Sequence, residues 1–189
     1  MEKLKNILKN YAGFDTLRLI LCRKAILVEG PSDELIVQKA YIRKKNGELP
    51  IEDEVDVISV GTSFLRFLEI AEKIKKPVAV VTDNDGNYES KVQKKYKLYG
   101  NCSTIQICSD SNNTLNTLEP QIVEANKKQL DTLRKILGIV KKDYPDTQSI
   151  SDYMQKHKTD CALKVFDTDE DIKFPQYILD AIGWEYEQE

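Results

Sequence analysis

One histidine, His157, and four scattered cysteines, Cys22, Cys102, Cys108 and Cys161, are all the nitrogen and sulfur ligands that this 189-residue chain offers. With no C-x-x-C pair, the chain is poor material for a zinc cage or a disulfide framework, and reduced thiols are expected. The metal chemistry open to it is oxygen chemistry. No stretch approaches the roughly 20 apolar residues needed to span a bilayer. The charged start MEKLKNILKN lacks the apolar centre of a signal peptide, so no membrane role and a cytoplasmic location are expected. Positive charge is not in excess either: 28 Lys and Arg against 31 Asp and Glu give a net charge of −3. That argues against holding nucleic acid by bulk field alone. A polyanionic partner would need bound divalent ions, local lysine clusters such as RKKNG and KVQKKYK, or another domain or subunit. The chain also lacks a G-x-x-x-x-G-K-[ST] loop and a G-x-S-x-G elbow, which removes a nucleotide-triphosphate P-loop and an α/β-hydrolase nucleophile. There is no internal repeat.

What is present is an ordinary globular balance, 41% hydrophobic and 31% charged, at a length that supports one principal core. Leu4, Ile7, Leu8, then Leu17, Ile20 and Leu21 stand at near-helical spacing and are interrupted at Gly13, which predicts two short lead-in helices over 1–22. Apolar runs KAILV, VDVISV, PVAVV and STIQIC then alternate with helical patterns, the first opened by Pro31 and Ser32 and stopped by Gly47, the second opened by Thr62 or Ser63. Such alternation implies an α/β fold, a mostly parallel Rossmann-like sheet flanked by helices. From about residue 121 the strand signal fades. QIVEANKKQLDTLRKILG, SISDYMQKHKTDCALKVF and PQYILDAIGW each read as a helix. The expected organisation is a lead-in over 1–22, a core over 23–120 and a C-terminal helical extension over 121–189 that completes the site.

In open parallel sheets the working site lies outside the carboxyl ends of the strands. Glu29 closes the first strand, and Asp33, four residues on, can return to the same rim. Asp83 and Asp85 close the third. Residues two apart in extended backbone point the same way, so these two carboxylates should face together with Asn84 turned away as a spacer. If strands one and three are neighbours, up to four carboxylates converge, which is unfavourable without cations. Magnesium or manganese suits such a donor set, and two ions about 4 Å apart could clamp the attacking and leaving oxygens of a phosphodiester.

Other chemistries use two nearby aspartates. A calcium loop starting at Asp83 would need glycine at 88 and glutamate at 94, where Tyr88 and Lys94 stand. A haloacid-dehalogenase-type phosphatase fits DNDG better, with Asp83 as nucleophile and DTDED at 167–171 as its later acidic motif, although its strand would normally come first and here two strand–helix units precede it. A non-catalytic metal-binding module that docks a partner is a third possibility.

The ordered set ILVEGPSDELIVQKAY, then VAVVTDNDG some fifty residues later, NTLEPQ and HKTDCALKVF, resembles the Toprim domain. More narrowly, it is similar to the C-terminal nuclease region of the OLD (overcoming lysogenization defect) endonucleases, including the nuclease subunit of Gabija anti-phage systems. The resemblance implies a metal-dependent DNA endonuclease using two Mg2+ or Mn2+ ions, with Ca2+ as a non-productive substitute. Metal ligands would be Glu29, Asp33, Asp83 (nearest both ions), Asp85 and Glu119, and Lys158 would stand near the scissile phosphate. Glu29, Asp83 and Lys158 would carry the catalysis. Such nucleases carry an ATPase domain with a P-loop and a dimer interface. This chain has neither, so DNA grip, nucleotide control and oligomer formation would come from a partner domain or subunit.

Overall fold

A computed structural model describes residues 13–186. The expected first lead-in helix, with Leu4, Ile7 and Leu8, lies outside them. The second is α1 (Phe14–Leu21). There follow β1 (Lys24–Val28), α2 (Pro31–Lys44), β2 (Val55–Ser59), α3 (Phe64–Ile74), β3 (Val78–Val81) and β4 (Ile105–Cys108). The extension consists of α4 (Leu118–Ala125), α5 (Leu130–Leu137), α6 (Thr147–Lys156), α7 (Lys158–Asp167) and α8 (Gln176–Gly183). Two expected helices are each broken in two. Between α4 and α5, Asn126 caps by turning its side chain back on the Ile122 carbonyl and across to that of Lys173, both at 2.8 Å. Between α6 and α7, His157 leaves helical geometry at φ −128°, ψ 39°, and its ring stacks on Tyr153 with centroids 4.6 Å apart. Periodicity alone does not register such breaks.

The four strands form one all-parallel sheet in the order β2-β1-β3-β4. Alternation along each strand sends residues to two separate cores. Ile26, Val28, Ala79 and Val81 meet α2 and the helices of the extension on one face. Ala25, Leu27, Val78 and Val80 meet α3 and the segment after β3 on the other. The strands are therefore apolar without a polar face, as a doubly covered parallel sheet requires. The extension is the covering layer of one face, sharing a core with the sheet, and α4 runs across residue 120. At the other end of the chain, Arg18 of α1 donates to Asp56 of β2 from Nε (3.1 Å) and Nη2 (2.8 Å) and to Glu34 of α2 (3.1 Å). Among the described residues, no helix is long and apolar enough to cross a membrane.

Candidate functional site

Because β1 pairs directly with β3, with Leu27 opposite Val80, the segments leaving these two strands emerge side by side. This is where the chain, having gone outward to β2, crosses back, the crevice position of open parallel sheets. Glu29 follows β1 immediately. Gly30 then starts α2, and its N–H donates to Asp33 Oδ2 at 2.8 Å. A Cβ at Gly30 would stand 3.3 Å from that oxygen, so a side chain at this position would crowd Asp33 in the first turn of the helix, and glycine leaves it room. From the extension, Glu119 in the first turn of α4 is buried, with Oε2 accepting from Thr117 Oγ1 at 2.9 Å. Its other oxygen meets Lys158 Nζ, from the first residue of α7, at 3.2 Å. The break at His157 is what allows Lys158 to open a new helix at this rim.

Asp83 stands at the centre of these groups. Burial, then the negative charges of Asp33, Glu119 and Glu29, push its carboxyl up to about 8, against the pull of Lys158. Burial and the charges of Glu29 and Glu119 push Asp33 up to about 6 despite its Gly30 hydrogen bond. Lys158, though partly desolvated, is held above the ordinary lysine range by Glu119, with Asp83 and Asp33 beyond. Five of the six residues expected from the sequence thus act on one another, with Asp83 as their common neighbour. On its outer side Asp83 also borders a cleft of about 300 Å3 that it shares with Glu29 and Asp85.

Asp85 does not stand as expected. The strand ends at Val81, and Asp85 has φ +48°, so extended-chain alternation no longer applies. Its side chain is half exposed at the rim of the cleft and pairs with Lys91 at 3.4 Å. Asn84 is the larger correction. It is fully buried, donating from Nδ2 to the carbonyls of Asp110 (2.9 Å), Asn112 (3.0 Å) and Leu115 (3.4 Å), while its Oδ1 accepts from Gly86 N at 2.8 Å. It is a clasp that ties the Asp83 turn to the loop between β4 and α4, not a spacer. Asn84→Ala should therefore strand the Asp110 carbonyl and the Gly86 N–H, while the Asn112 and Leu115 carbonyls keep Leu115 N and Gln121 Nε2, at a cost of about 3 kcal/mol. Thermal melting should show this as a Tm lower by about 6–12 °C.

Tyr177 of α8, among nine tyrosines that the sequence did not distinguish, is buried close to the cluster. Burial, then the charges of Asp83, Asp33, Asp110 and Glu119, keep its phenol protonated. By contrast DTDED is remote. Arg43, at the far end of α2 from Asp33, binds the carbonyls of Thr168 (3.2 Å) and Glu170 (3.0 Å). Ten helical residues separate Arg43 from Asp33, a distance of about 15 Å, so this run supplies no acid to a phosphatase centred on Asp83.

The donor set around Asp83 is all carboxylate and is under-neutralised, which suits a hard divalent cation. As the side chains stand, no three of these ligand types among the described residues are close enough together to hold an ion. Occupation would have to draw Asp33, Asp83, Glu119 and Glu29 inward.

Residues 20–85 match the family model described as "Overcoming lysogenization defect protein-like, TOPRIM domain". Among solved structures, the fold is similar to the C-terminal region of the Burkholderia pseudomallei OLD protein, with a TM-score of 0.63 at 17% identity, covering 85% of this chain and 95% of that one. It is also similar to the C-terminal region of the Xanthomonas campestris pv. campestris OLD protein, with a TM-score of 0.57 at 20% identity, covering 87% and 92%. No curated protein sequence matches the chain.

Proposed function

Residues 20–85 are a Toprim domain of the OLD type, and from that premise we propose that the chain is the catalytic part of a metal-dependent DNA endonuclease. The observation that carries this reading is the meeting of Glu29, Asp33, Asp83 and Glu119 with Lys158 at the carboxyl end of the two central strands. One or two Mg2+ or Mn2+ ions held by these carboxylates would supply the charge neutralisation and Lewis acidity that phosphodiester hydrolysis needs. Asp83, central to the group, would be the shared ligand. Asp33, with one oxygen fixed by the Gly30 N–H, would present the other. Lys158 rests on Glu119 but is half exposed. Once the carboxylates are neutralised it is free to turn to the scissile phosphate and stabilise the charge that develops there. An ATPase domain or subunit would provide DNA grip and nucleotide control, and a role in anti-phage defence or DNA processing accords with the OLD resemblance.

Nicking of supercoiled plasmid in Mg2+ or Mn2+ tests this. Glu29→Gln and Lys158→Ala should each lower the rate by about 10²–10³-fold, with folding unchanged. Equal nicking by wild type and variants would point to contamination and end the assignment. No phosphoaspartate should be trapped at Asp83; finding one would instead establish the phosphatase chemistry.

A further inference from the structure

The cleft bordered by Glu29, Asp83 and Asp85 has a second wall of opposite sign. After the Asp83 turn the chain enters a π-helical turn, Glu89–Lys94, a widened geometry that is rare and recurs at functional sites. Val92 and Tyr96 pack into the core beneath it, which leaves Lys91 and Lys95, four residues apart and so on one face, to line the cleft. The two lysines are held differently. Lys91 pairs with Asp85 at 3.4 Å, both side chains about half exposed, an attraction worth only about 0–1 kcal/mol and easily given up. Lys95 has no carboxylate partner among the described residues. Its Nζ instead stands 5.0 Å from the ring centroid of Tyr96 and 5.3 Å from that of Phe64. These rings fix an uncompensated ammonium at the mouth of a carboxylate cleft.

Beneath the cleft the Tyr96 hydroxyl is buried beside Thr82, which lines it, and so fixes the ring under Lys95. Helix α3 begins at the same cleft with Phe64, and Ser63 gives it no side-chain cap, so the positive end of its dipole adds to the preference for an anion there.

We propose that Lys91 and Lys95 form a backbone clamp that grips the nucleic-acid strand at a phosphate next to the one cut, the local basic contact that a chain of net charge −3 needs. This rests on the endonuclease reading, and it assigns the two lysines to positioning rather than to bond breaking. Phosphate gripped there lies beside Asp83 on the outer side, whereas Lys158 approaches from the side of Glu119. The strand would run across Asp83 between two sets of cations.

The test is fluorescence anisotropy of labelled single-stranded and duplex oligonucleotides in EDTA, as a function of KCl, with the full chain. Lys91→Gln and Lys95→Gln should each weaken binding about three- to tenfold for every sequence and flatten the slope of log K against log salt by about 0.7–0.9. The double variant should lose both increments while its Tm stays within about 1 °C. Lys142→Gln, outside the cleft, controls for loss of one positive charge. Unchanged affinity and slope in the double variant, or an equal loss in Lys142→Gln, would overturn the clamp, as would wild-type protein that binds no oligonucleotide. The clamp and the endonuclease reading fail separately. Lysine-dependent binding without plasmid nicking keeps the clamp and removes the nuclease, whereas nicking by a protein whose binding ignores both lysines does the reverse.

Discussion

Asp83→Asn should yield a protein that no longer nicks plasmid DNA yet melts at a higher temperature than wild type at pH 8 without divalent metal. Asparagine keeps the shape of aspartate but removes a charge that burial disfavours most and that Asp33, Glu119 and Glu29 also oppose. The burial and crowding of this carboxylate are a cost the native fold carries for the site, so relieving them should stabilise the chain by a few kcal/mol, raising Tm by about 5 °C or more. Activity should fall at least about 10³-fold, because the residue common to the whole carboxylate group is gone. A purely structural Asp83 would behave oppositely, with a lower Tm on substitution and nicking impaired only as far as unfolding dictates. Melting and nicking measured on one preparation therefore separate a site residue from a packing residue.

The same carboxylates should make the metal-free protein lose stability as pH rises from 5 to 8. An acid held above its ordinary range binds its proton more tightly in the folded chain than in the unfolded one, so protonation favours the fold. That contribution is complete below the unfolded aspartate value, about 3.9. It is lost as pH rises through about 6 for Asp33 and about 8 for Asp83. The pair should account for about 5 kcal/mol, or a Tm about 10–20 °C lower at pH 8 than at pH 5. Lys24, pushed down to about 8 chiefly by burial, titrates in the opposite sense and only above this window. Millimolar Mg2+ should recover most of the loss at pH 8 and do little at pH 5, where protons already neutralise the group. A Tm that is flat over this range, or an Mg2+ effect independent of pH, would show that the carboxylates neither crowd one another nor take the ion.

Much of this was legible in the letters. The doubly covered sheet follows from apolar runs with no polar face, and the adjacency of Glu29 and Asp83 follows from two strand ends meeting at a crossover. The misreadings came where the backbone leaves regular geometry. Alternation predicted Asp85 beside Asp83 and Asn84 turned outward, but it holds only while the chain is extended, and the strand stops at Val81, short of both. The positive φ at Asp85 is accommodated by a turn whose partners, at residues 110–115, lie more than twenty positions away. The break at His157 was hidden because both flanking segments are helical in pattern, and Lys158 owes its place at the rim to that break. Tyr177 carries no local signal at all, since only the packing of α8 against the sheet brings it to the carboxylates.

The clasp made by Asn84 has an evolutionary corollary. Every acceptor it uses on the facing loop is a main-chain carbonyl, belonging to Asp110, Asn112 and Leu115. Main-chain carbonyls are the same whatever side chain they carry, so the clasp itself does not read the residues it grips and depends on their spacing: a one-residue insertion or deletion would misalign all three acceptors at once. The shape of the loop is held separately by its own side chains, with Asp110 Oδ1 accepting from Asn112 N, Asn112 Oδ1 from Thr114 N and Asn113 Oδ1 from Tyr88 N. Length is therefore fixed by the clasp and composition by these three positions, which confines drift to the rest of the loop.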